Sequence, residues 1–181
     1  SMGGLNCDLA TQLCVDENGN SLVKALLLNC CFATYTDESG NYTDLYGATD
    51  VGIIADKYDE FLFNEVNSDG TALKPRDYIK SDKAQSFLNF GAPLEECEQR
   101  QADTVYYKEY DGREAMRVIY TPSYNHPWSH FSKYGAAVTI DFFDEALGSP
   151  VNISSVNQVW QWKEFFNFIG LVGLAVFAVN V

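Results

Sequence analysis

The sequence predicts an α/β fold: a mainly parallel sheet with flanking helices, followed by a hydrophobic C-terminal helix. Three observations carry this. Two short apolar runs, "LVKALLLNCCFA" (22–33) and "DVGIIAD" (50–56), lack the polar alternation of half-exposed strands and read as strands covered on both faces. Long connections and helix-period segments lie between and around the strands, the pattern of layered α/β domains. The last segment, "FFNFIGLVGLAVFAVNV" (165–181), has only Asn167 and Asn180 as polar residues.

In chain order the first element is a helix. Leu5, Leu9 and Leu13 make a helical stripe over 2–14. The strands at 22–33 and 50–56 follow. "DKAQSFLNFG" (82–91) reads as a helix ending on Gly91, and "TVYYKEYDGREAMRVIYT" (104–121) as two strands around an Asp-Gly turn. "SKYGAAVTIDFFDEALG" (132–148) is an amphipathic helix with Ser132 as its cap and Gly148 as its stop. Residues 149–158 form a polar linker. The stretches "DENGN", "DESGN", "NSDG" and "YDG" are turns; none has the alternating ligands and terminal Glu of a calcium loop.

A chain of 181 residues suffices for one domain with a real core. Its net charge of −13 repels phosphate backbones, so nucleic acid is not an expected partner. The cysteines (Cys7, Cys14, Cys30, Cys31 and Cys97) are odd in number and fit no zinc spacing. They read as small buried apolar residues. No cofactor and no metal are expected.

The residues that can carry chemistry stand at strand ends. Ser1 directly precedes the first helix, Asp59 follows "VGIIA" and His126 follows "AMRVIYT". Catalytic groups of open α/β sheets gather at the carboxyl ends of strands, and a nucleophile, an acid and a base in the order Ser, Asp, His form a known set there. Each has a rival. Ser1-Met2 also reads as the remnant of a cleaved tag, Asp56 competes with Asp59, and His130 competes with His126. The His126/His130 spacing would suit a metal pair on a helix. Pro127 argues against a helix there, and two histidines leave zinc short of ligands. The aromatics Phe61, Phe63, Phe87, Phe90, Tyr106, Tyr107 and Tyr110 read either as a lid or as local core.

These segments together resemble the α/β-hydrolase family. "SMGG" looks like the second half of the nucleophile elbow G-x-S-x-G. "DKYDEFL" (56–62) resembles the acid loop, with Asp56 where the family carries glycine. "YTPSYNHPWSHFS" (120–132) resembles the histidine loop. The resemblance covers 1–148, with 62–110 as an insert, and runs closest to bacterial membrane-attached members. It implies Ser1 as nucleophile, His126 as base, Asp59 as acid and the Met2 amide in the oxyanion hole, with Trp128 and His130 lining the substrate pocket. The implied activity is that of a serine hydrolase acting on a small-molecule ester or amide through an acyl-enzyme. The chain would be its C-terminal portion, inactive without the other half. The competing expectation is a non-catalytic, membrane-anchored extracytoplasmic α/β domain.

Residues 159–181 are expected to cross a membrane. At 1.5 Å per residue the apolar run approaches the thickness of a bilayer core, and Trp160, Trp162 and Lys163 look like an interfacial anchor. The acidic domain is expected on the extracytoplasmic side.

Overall fold

Apolar strands flanked by helices must bury both faces, and the computed structural model shows how. It describes residues 2–17, 19–148 and 153–179. The elements are α1 (Met2–Leu13), β1 (Ala25–Asn29), β2 (Asp50–Ile54), β3 (Glu65–Val66), β4 (Ala72–Leu73), α2 (Asp82–Leu88), β5 (Tyr106–Tyr110), β6 (Arg113–Tyr120), α3 (His126–Ser129), α4 (Lys133–Leu147) and α5 (Trp160–Val179). Among the described residues the main sheet has four strands in the order β1-β2-β6-β5. β1, β2 and β6 are parallel, and β5 closes one edge as the antiparallel partner of β6. The fold is mixed α/β with a parallel-rich sheet and an apolar C-terminal helix.

Every residue of β2 is buried, as its unbroken apolar sequence requires. β1 differs from expectation: it is shorter than 22–33 and alternates between buried and half-buried residues. Among the described residues it is an edge strand, paired on its β2 side alone. One face of the sheet meets α2 and the insert in a core that includes Leu28, Ile53, Phe63, Tyr78, Phe87 and Leu88. Phe63 and Phe87 therefore build core rather than a lid. On the other face Met116, Val118, Phe142 and Ala146 pack together. Gly52 makes that packing close, since a Cβ there would stand 2.7 Å from the Leu27 side chain and 2.8 Å from the Phe142 ring.

Several local expectations are corrected. The Leu5, Leu9 and Leu13 stripe of α1 faces solvent, while Asp8 and Thr11 are buried. The cause is polar: the Asp8 carboxylate accepts from Thr34 Oγ1 at 2.6 Å and from the Tyr46 hydroxyl, docking the helix by its hydrophilic side. α2 ends at Leu88, not Gly91. Gly91 instead takes the turn at φ +73, where a Cβ would lie 2.2 Å from the Thr43 and Asp44 backbone. Cys7 and Cys14 are exposed; only Cys30 and Cys31 are buried.

Arg117 sits in the middle of β6 with 1% of its surface exposed. Its guanidinium donates to the carbonyls of Thr49 (2.5 Å) and Gly47 (2.9 Å) and to Asp44 Oδ1 (3.2 Å), fixing the segment that leads into β2.

Candidate functional site

Two loops leave the carboxyl ends of neighbouring parallel strands and remain stitched together. The β2–β6 ladder continues past both strands: Ala55 N–H donates to Tyr120 O at 2.8 Å, Lys57 N–H to Pro122 O at 2.9 Å and Tyr58 N–H to Tyr124 O at 3.1 Å. This pairing carries Asp59 and His126 to the same place. His126 Nδ1 and Asp59 Oδ2 are 2.7 Å apart.

The Asp59 side chain is fully buried and that of His126 is partly open. Asp59 Oδ1 accepts from the backbone N–H groups of Phe61 (2.9 Å) and Leu62 (2.8 Å), so the carboxylate cannot turn away. A carboxylate only accepts, so Nδ1 carries the proton of this bond. In the neutral imidazole, Nε2 is left as the basic nitrogen. Glu60 Oε2 accepts from the His126 N–H at 3.1 Å, and the Phe61 ring meets the imidazole edge-on at 5.4 Å between centroids.

His126 lies on a helix after all. α3 is a single turn, capped by Asn125, whose side chain accepts from Trp128 N–H. Pro127 falls in the first turn, where a missing N–H costs nothing, so its breaker role does not apply. His130 follows the turn, its ring centroid 6.1 Å from that of His126. Its Nδ1 is 3.4 Å from Asn29 Nδ2, at the end of β1. Trp128 projects to solvent. Met2 opens α1. Ser1 lies outside the described residues, as does part of the expected linker, 149–152.

Asp56, the rival acid, does not meet the imidazole; its Oδ2 accepts from Cys30 Sγ at 3.3 Å. It is buried, and its Oδ1 has no hydrogen-bond partner among the described residues. Burial pushes this carboxyl above its ordinary range. Cys30, just past β1, takes a positive φ of 47°. Its Sγ, an Asp59 oxygen and a His126 ring nitrogen lie within 4.8 Å of one another, so these three residues could hold a metal ion. Burial pushes the Cys30 thiol up to about 12, which leaves it protonated at neutral pH and a poor nucleophile. Ser129 Oγ donates to Asn29 Oδ1 at 3.0 Å and ties α3 to β1.

Cys30, Asn29 and Ser129 escaped the sequence reading. For Asn29 and Cys30 the signal was the position of "NCC" at the end of the first apolar run, and for Ser129 its place between the two histidines; the meaning of both depends on which strand lies beside them. A cavity of about 590 Å³, lined by residues such as Asp44, Gly47, Tyr110 and Arg113, lies at the opposite ends of the strands. No family model, no curated protein and no solved structure matches the chain.

Proposed function

We propose that the chain carries the catalytic residues of a serine hydrolase of the α/β-hydrolase class, cleaving an ester or an amide through an acyl-enzyme. The observation that carries this reading is the 2.7 Å contact between His126 Nδ1 and the buried Asp59 carboxylate, held at the carboxyl ends of adjacent parallel strands. The chain order supports it: Ser1 precedes α1, Asp59 follows β2 and His126 follows β6.

The chemistry follows from these groups. A serine hydroxyl is a weak nucleophile until a base removes its proton. His126 Nε2 takes that proton as Ser1 Oγ bonds to the acyl carbon. The carbonyl electron pair moves onto oxygen, where the Met2 N–H at the start of α1 donates to it, aided by the helix dipole. When the carbonyl re-forms, the bond to the leaving alcohol or amine breaks and Nε2 returns the proton to it. Water then attacks the acyl-enzyme by the same route, releasing the acid and Ser1. Asp59 holds the imidazole in the required tautomer and stabilises the imidazolium.

The test uses the full-length protein. A fluorophosphonate probe is expected to label it covalently, with labelling lost in Ser1→Ala and kept in Cys30→Ser. Labelling that survives Ser1→Ala overturns the assignment.

A further inference from the structure

The mouth of the dyad is rimmed by exposed aromatic side chains. Tyr58 (61% exposed) and Phe61 (73%) stand on the loop after β2, and Trp128 (64%) and Phe131 (63%) on and just after α3. Single exposed apolar residues are ordinary, but several together mark a contact surface. The chain itself indicates the occupant. After α4 it returns to the beginning of that helix, where Gln158 Nε2 donates to Lys133 O at 2.9 Å. The same residue anchors the start of α5: Trp160 Nε1 donates to Gln158 Oε1 at 2.7 Å and Gln161 Nε2 to Gln158 O at 2.9 Å. Lys133 is two positions from Phe131. The helix apolar enough to cross a bilayer therefore begins beside the rim of the site, with exposed Val156, Val159 and Trp162 continuing the apolar surface.

The geometry points to a lipid bilayer as the partner of this rim: Tyr58, Phe61, Trp128 and Phe131 rest in the interface of the membrane that α5 spans, and the site draws an acyl ester with a long alkyl chain from that bilayer. The membrane contact stands by itself; the substrate class rests on the hydrolase reading. Tyr and Trp favour this interface because their rings are apolar with a polar tip. The chain's charge of −13 makes the contact an apolar one, since an acidic domain gains nothing from an anionic surface.

The chain contains three tryptophans, Trp128, Trp160 and Trp162, which makes the contact measurable. In the 181-residue chain reconstituted into phosphatidylcholine vesicles, the double variant Trp160→Phe, Trp162→Phe leaves Trp128 as the only indole. Its emission is expected to be blue-shifted, quenched by brominated phosphatidylcholine and insensitive to added salt. Quenching by aqueous acrylamide alone overturns the membrane contact. The variant Trp128→Phe reports on the other two indoles, and absence of brominated-lipid quenching there also overturns it, because the helix would not be inserted.

For the substrate class, the full-length protein is given a bilayer-dissolved long-chain ester and a water-soluble short-chain ester. Phe131→Ser is expected to lower the ratio of the two kcat/KM values at least several-fold. An unaltered ratio overturns the substrate class. Hydrolysis of neither ester overturns the hydrolase reading and the substrate class with it; the quenching of Trp128 then decides the membrane contact independently.

Discussion

Asp59 spends one oxygen on its own loop and the other on His126. Under the hydrolase reading, Asp59→Asn puts an amide beside Nδ1 and favours the wrong tautomer; kcat is expected to fall by about four orders of magnitude with little change in KM, measured on a soluble ester. Asp56 gives a different prediction. Its carboxyl is raised by burial, so the folded state holds a proton that the unfolded state releases near the ordinary value of 3.8. Its contribution to stability is therefore present below that pH and is lost as pH rises through the folded pKa. The stability of Asp56→Asn relative to the parent is expected to grow across that window, as read by denaturant unfolding at a series of pH values. Asp59 and His126 were visible in the sequence because each follows a recognisable strand. The placing of Asp56 against Cys30 was not, because it depends on β1 and β2 lying side by side, and no local pattern encodes that adjacency.

Among the elements, β6 carries the largest buried commitment. Arg117 is enclosed among Thr49, Gly47 and Asp44, and removing it takes this donor from two carbonyls and from a carboxylate that the Gly47 N–H and the Tyr110 hydroxyl still serve. Arg117→Ala is expected to cost about 2–5 kcal/mol, chiefly from the two carbonyls that lose a donor in the interior, measured by guanidinium unfolding in detergent. β1, β2, β5, β6, α2 and α4 were legible because apolar runs, an Asp-Gly turn, the serine cap at Ser132 and the stop glycine at Gly148 are all local signals. The face that α1 turns inward was not. Leucine periodicity pointed one way, and the bonds of Asp8 to Thr34 and Tyr46, partners far along the chain, turned it the other. α3 was missed because the position of Pro127 within a turn decides whether it breaks a helix or starts one.

For the molecule as a whole, α5 dominates behaviour in solution. It runs 20 residues, its most apolar 18 residues have a mean hydropathy of 1.5, and none of it is buried. At 1.5 Å per residue that is about 30 Å, the thickness of a bilayer core. The chain is expected to sediment with membranes, and a version ending at Gln158 to stay in the supernatant; equal partitioning of the two would contradict a spanning role. The stitched loops beyond β2 and β6 have a further consequence, for how chain length can vary. One residue added between Ile54 and Asp59, or between Tyr120 and His126, would slide one group past the other by about 3.3 Å and part the carboxylate from the imidazole. The stretch from the turn at 67–70 to β5 sets neither distance. Insertions and deletions should therefore be tolerated at its exposed turns, while the two short connections keep a fixed count of residues.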